Sequence, residues 1–152
     1  MLLFCQKTLY LGVINKKFTV YTNKYFRVTI SIRYTDDDKI LVREARGRVT
    51  FPDIYKSWQE LITSGRLNDS LIGIINDFRE LELDVTINDV NDILELIDEN
   101  FDFFKNIKIA VVVDSYKNIV FPMIVEKISK KARIKPFSTI EAAEDWVKGI
   151  IE

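Results

Sequence analysis

The chain has no histidine and a single cysteine among its 152 residues. The first absence excludes histidine-based triads and removes the commonest side-chain ligand of transition metals. The second excludes an internal disulfide. Cys5 therefore reads as a small apolar residue or an exposed thiol, and a reducing, cytoplasmic setting is expected. Glycine (5) and proline (3) are too sparse for a glycine-rich phosphate loop or a proline-rich linker. No apolar run approaches the ~20 residues that a membrane span needs. Met1 to Lys7 resembles a signal segment only faintly, because Lys7 and then Lys16-Lys17 break the apolar stretches; the reading is non-secretory. Nor is there an excess of one charge: 22 basic residues face 23 acidic ones, for a formal charge of −1. Nothing global draws the chain to nucleic acid or to an anionic membrane.

What is present is an ordinary globular composition, 47% hydrophobic and 30% charged, over a length that fills one core. The stretch Leu71 to Asp77 organises the chain. Its apolar run lacks alternation and ends in an acid, which predicts a central parallel strand buried on both faces. Gly73 there predicts close approach of a helix or a neighbouring chain. A short acidic loop follows, and then a capped helix start at Thr86-Ile87-Asn88-Asp89.

Around this centre the other elements fall in order. Residues 1–25 are either an extra hairpin (Leu9 to Ile14 with Phe18 to Tyr21) or an extension from an upstream start codon, neither being favoured. Residues 26–152 read as one domain. Tyr25 to Ile32 and Ile40 to Arg46 make an antiparallel pair joined by a turn at Asp36-Asp37-Asp38-Lys39. Thr50, with Asp53 three residues on, caps a first helix that buries Phe51, Ile54, Trp58, Leu61 and Ile62 and stops near Gly65. The second helix spans about Thr86 to Phe101 with a stripe of Ile87, Val90, Ile93, Leu94, Ile97 and Phe101. Ile107 to Asp114 is a second buried strand. A third helix lies within Ile119 to Ala132, with Pro122 in its first turn. Ile134 to Phe137 is a short edge strand, since Pro136 cannot donate to a ladder. Ser138 and Glu141 form a capping box for a last helix that buries Ile140, Ala143, Trp146, Val147 and Ile150. Right-handed crossovers between sequential strands set the helices on one sheet face. The other face then needs a cover: the N-terminal segment, a partner or a second copy.

Four runs carry a family resemblance: Arg46-Gly47-Arg48-Val49-Thr50, Ile74-Ile75-Asn76-Asp77-Phe78-Arg79, Ile109-Ala110-Val111-Val112, and Phe137 through Trp146. In this order and spacing, the chain from about residue 27 to 150 resembles a STAS-type domain. That is the fold of anti-sigma-factor antagonists and of the cytoplasmic domains of sulfate transporters. The chain is most similar to the short stand-alone bacterial members. The resemblance implies a STAS/SpoIIAA-like α/β fold: a mixed, mostly parallel sheet of about five strands, an N-terminal antiparallel hairpin, and four helices packed mainly on one face. It also implies a regulatory, protein-binding role. In the founding members a serine at the start of the second helix is phosphorylated, within an Asp-Ser-(Ser/Thr)-Gly type motif. The matching region here is Asp84-Val85-Thr86-Ile87-Asn88, which holds neither serine nor glycine. Thr86 is the nearest hydroxyl and the candidate phospho-acceptor, although a plain cap backed by Asp89 is the favoured reading.

Two further constellations stand out. Asp77 and Asp114 both end buried strands, with Ser115 alongside, and ligands of open α/β sheets sit beyond such strand ends. A pocket or carboxylate pair there is weighed against acids that simply bond loop N–H groups, and the plain reading is favoured. Second, from Glu80 to Asp102 there are nine acids and no Lys or Arg. Asp89, Asp92, Glu95, Asp98 and Glu99 fall opposite the apolar stripe of the second helix, while Lys127, Lys130, Lys131, Arg133 and Lys135 cluster later. These are either two solvated faces or an acidic docking surface for a basic partner, with self-association into a homodimer as the alternative use. The expectation is a non-enzymatic regulatory or protein-interaction module without cofactor or metal. Its partner-binding candidates are Thr86, Asp89, Asp92, Glu95, Asp98 and Glu99. The alternative is a carrier of a small apolar or lipid-like ligand, which requires a closed cavity between sheet and helices.

Overall fold

In the computed structural model the described residues are 19–23, 28–35, 37, 39–65, 67 and 69–152. Cys5, the segment Leu9 to Ile14, and Asp36 and Asp38 of the expected turn lie outside them. The sheet is built on β3 (Ile40–Thr50), whose length lets it serve several neighbours. On one side it pairs antiparallel with β2 (Val28–Tyr34), which pairs antiparallel with β1 (Thr19–Asn23). On the other, Ile40 to Glu44 pair parallel with β4 (Gly73–Asp77), and Gly47 to Thr50 pair parallel with β5 (Leu81–Asp84). β6 (Lys108–Val112) and β7 (Arg133–Phe137) continue the parallel sheet, so the order is β1-β2-β3-β4-β6-β7 with β5 attached to β3. The edge position of β7 agrees with Pro136 in its middle.

β5 corrects the expected loop after Asp77. Leu81, Glu82, Leu83 and Asp84 alternate apolar and acidic, and the far half of β3 offers them an open ladder. Where β4 gives way to β5, the Gly47 N–H donates to the Glu80 carbonyl (3.2 Å). Gly47 takes φ 98°, a conformation a side chain would strain, so glycine allows the local bend.

The register sorts side chains into two layers. Leu41, Ile74 and Ile109 face one way, under α1 (Phe51–Thr63), α2 (Asp89–Glu99), the single turn α3 (Phe101–Phe104) and α4 (Tyr116–Ile128). Trp58 meets Phe104 edge-on in this layer at 5.4 Å. Val42, Ile75 and Ala110 face the other way, under Ala143, Trp146 and Val147 of α5 (Ile140–Lys148). The expected need for an external cover on that face is thus corrected: after edge strand β7 the chain crosses back and α5 covers it. Gly73 makes the approach feasible. A Cβ there would clash with the Val147 side chain and sit 2.8 Å from the Lys108 carbonyl oxygen.

Several boundaries shift. Ile72 precedes β4 and is exposed. α2 begins at Asp89, so Ile87 and Phe101 leave the apolar stripe and are exposed, while Leu96 joins Val90, Ile93 and Ile97 in the core. α4 starts at Tyr116, earlier than expected, because the Ser115 hydroxyl accepts from the Asn118 N–H (3.3 Å) and caps it. Pro122 consequently lies inside α4 and, lacking an N–H, donates no bond to the preceding turn. In α5 the cap is Thr139, accepting from Ala142 N–H (3.2 Å), not Ser138. That places Ala143, Trp146 and Val147 on the sheet and turns Ile150 out to solvent. No helix among the described residues is long and apolar enough to cross a membrane.

Candidate functional site

At the strand-end edge, Asp77 is held by Arg79. Arg79 donates from Nε (2.9 Å) and Nη2 (2.8 Å) to its two oxygens, and from its backbone N–H (3.2 Å). Burial alone would push the Asp77 carboxyl up. The hydrogen bonds and charge of Arg79, with Arg33 further off, outweigh it and hold the group below the usual carboxylate range. Asp114 is exposed, and what links it to Asp77 is their shared electrostatic pull on Arg79. Ser115 is occupied as the α4 cap. A carboxylate kept ionised by an arginine is poor as a general acid at neutral pH. Among the described residues no group of three or more Cys, Asp or Glu side chains is placed to hold a metal. The void between sheet and α1, lined by Ile30, Ala45, Val49, Ile54, Phe78 and Leu81 among others, measures about 10 Å³. That is room for about one water.

The second region begins with what fixes α1 and α2. Arg43, on β3, is buried and donates to Asn76 Oδ1 (3.0 Å) and Ser57 Oγ (2.5 Å). Its guanidinium lies 4.3 Å from the Trp58 ring centroid. These contacts pin α1 to the sheet. Asn118 of α4 donates to the Leu81 carbonyl (2.6 Å) and accepts from Leu83 N–H (3.4 Å), so β5 is pinned just ahead of Thr86. Thr86 then donates from its N–H (2.6 Å) and its hydroxyl (3.1 Å) to Asp89, repeating the arrangement of Thr50 with Asp53.

Along α2 the remaining acids divide. Asp98 pairs with Lys131 at 3.0 Å. Asp92, Glu95 and Glu99 line the other side, where they form one wall of an open groove of about 440 Å³ whose remaining lining is Phe51, Pro52 and Tyr55 of α1. The Tyr55 hydroxyl donates toward Glu99 at 3.5 Å. Burial of the phenol first, then the nearby Glu99 and Glu95 charges, raise the Tyr55 pKa. Among the described residues no Lys or Arg pairs with Asp92, Glu95 or Glu99. By contrast Glu60, Asp84, Asp102 and Glu144 each have a basic partner.

Compared with solved structures, the chain is similar to an uncharacterized DUF3478-family protein from Shewanella loihica PV-4 that has a SpoIIAA-like fold. The match has a TM-score of 0.55 at 21% identity and covers 83% of this chain and 98% of that one. The fold is SpoIIAA-like. An anti-sigma factor antagonist from Mycobacterium paratuberculosis matches with a TM-score of 0.51 at 14% identity, covering 80% and 94% of the two chains. No family model matches the sequence, and no curated protein matches it.

Within this SpoIIAA-like frame the structure joins three of the six α2-region candidates (Asp92, Glu95, Glu99) in one groove. Thr86 and Asp89 sit at the helix start, and Asp98 is turned toward Lys131. The apolar half was missed. Phe51 reads from spacing as core and Tyr55 falls in no stripe, yet both are half-buried and their rings meet at a tilt, centroids 6.0 Å apart. Their spacing of four residues beside Pro52 is the only sequence signal for that surface.

Proposed function

We propose that the chain is a non-enzymatic STAS-type module that works by binding a protein partner in regulation, with residues 26–152 acting as one unit. Its contact surface is the start and acidic face of α2. One observation carries this reading: three carboxylates with no basic partner among the described residues stand beside half-buried aromatic side chains in an open groove. Eight other acids (Glu44, Glu60, Asp77, Glu80, Asp84, Asp98, Asp102 and Glu144) are each matched by a basic side chain. Like charges three and four residues apart cost a helix a few tenths of a kcal/mol per pair, and a basic partner offsets that. The M. paratuberculosis neighbour is an anti-sigma factor antagonist, which supports the same class of role. A carrier of lipid-like ligands finds no support in a void of about 10 Å³, where such ligands need roughly 300 Å³ or more.

The test is affinity capture from the native host with the wild type and with Asp92→Lys/Glu95→Lys, read by mass spectrometry. A polypeptide retained by the wild type and lost by the equally folded variant is expected. Equal recovery by both would remove α2 as the contact surface. Phosphate on Thr86 would be visible in the same spectra.

A further inference from the structure

Resting on that reading, we infer the chemistry of the partner: a polypeptide segment that is itself helical, basic along one stripe, and carries an apolar anchor beside that stripe. Asp92, Glu95 and Glu99 follow one another at i, i+3 and i+7. At 1.5 Å per residue they form a column about 10 Å long. A partner helix with Arg or Lys at the same intervals presents its cations at matching heights, as one helix laid along another. A strand repeats its same-face side chains every ~7 Å and matches the column less well. Opposite the acids, Phe51, Pro52 and Tyr55 offer an apolar wall within reach of the same segment. An apolar or aromatic side chain on the partner covers it and takes water away from the charge pairs, which strengthens them. The Tyr55 phenol, with its pKa raised, stays protonated and keeps its donor toward Glu99.

The probe is a labelled Ala-rich peptide of about 15 residues with Arg at i, i+3 and i+7 and Leu at i+4. Its control carries Glu at the three Arg positions. Titrated into the wild-type protein, the Arg peptide is expected to bind saturably. Backbone amide shifts should concentrate at Phe51, Tyr55, Asp92, Glu95 and Glu99. Affinity should drop about tenfold or more in Asp92→Lys/Glu95→Lys, and it should fall as salt is raised. Absence of saturable binding, equal binding of the Glu control, or shifts centred elsewhere would overturn the inference. The shift map needs no variant, so a misfolded variant does not blunt the test. If host capture depends on Asp92 and Glu95 while the peptide fails, the surface stands and this partner chemistry falls. Sedimentation of the protein alone covers the remaining occupant. A concentration-dependent dimer that the charge-reversed variant loses would show that the groove takes the Lys127–Lys135 cluster of a second copy, and would likewise overturn it.

Discussion

Two groups of carboxylates in this molecule have opposite surroundings. At the strand ends, Asp77 is mostly buried, with 13% of its side chain exposed, and both oxygens are taken by Arg79. On α2, Asp92, Glu95 and Glu99 border an open groove with no cation from the described chain. Asp77 is satisfied by the fold and is part of it. The α2 group has no such partner among the described residues. An acid at the end of a buried parallel strand is the conventional place to seek chemistry, yet here the side chain with unmet electrostatic demand lies elsewhere. The comparison predicts that changes near the sheet alter stability and leave the groove's binding alone, while changes in the groove do the reverse.

The sharpest break on the sheet side is Gly73→Val. The added side chain would meet Val147 and the Lys108 carbonyl, and neither backbone nor helix can yield without unseating α5. A loss of about 3 kcal/mol is expected, seen as a lower urea midpoint with an unchanged slope. An unchanged midpoint would mean that α5 does not press on the central strand.

Arg79→Gln should cost less, about 1 kcal/mol at pH 7, because the arginine end of the pair is 44% exposed and partly screened. The sign with pH follows from the depressed Asp77 pKa. The pair's stabilisation is fully present above the unfolded carboxyl value near 3.8 and is lost as pH falls through the lower folded value. The difference between wild type and variant should therefore shrink in acid. The variant loses the side-chain bonds and charge of Arg79 but keeps the backbone N–H of residue 79 and the Arg33 charge, so the Asp77 carboxyl should titrate higher than in the wild type by NMR. A titration that does not move from the wild-type position would assign the effect to groups other than the Arg79 side chain.

Thr86 stands between the two regions. Thr86→Ala should destabilise by about 0.5–1 kcal/mol through loss of the hydroxyl bond to Asp89, read as a lower melting temperature with frayed amide protection at the α2 start. Unaltered protection there would mean that the Asp89 bond to the Thr86 N–H suffices by itself.

The fold was largely legible because the strands and helices announce themselves by hydrophobic period. Leu71 to Asp77 and Ile107 to Asp114 read as buried strands, and the strands lie within them, at Gly73–Asp77 and Lys108–Val112. What was not legible depended on packing. The stripe of α5 resembles that of any other helix, and nothing local states which sheet face it covers. Ser138 and Thr139 are adjacent hydroxyls, both able to cap. The tertiary requirement that Trp146 and Val147 meet the sheet decides between them. Leu81 to Asp84 carried a strand-like alternation, but only the extra length of β3 gives it a ladder. The acids of α2 were visible as a run without lysine or arginine. Their apolar neighbours were not, since Phe51 and Tyr55 join them only when α1 and α2 pack side by side.

The smallest stability effect tests the groove side. Asp92→Lys/Glu95→Lys removes an acid from the first turn of α2, where the helix dipole favours it by about 0.3–1 kcal/mol. It also removes the repulsion between residues 95 and 99 and sets a cation four residues before Glu99, gains of about 0.2–0.5 kcal/mol per pair, while the two introduced lysines repel each other as Asp92 and Glu95 did. The terms nearly cancel, so the melting temperature should stay close to wild type, within about 0.5 kcal/mol. A loss of about 2 kcal/mol or more, on the order seen only for built-in contacts, would show that these acids are part of the architecture after all. The contrast with Asp77 would then disappear, and with it the reason to look for a basic partner on this face.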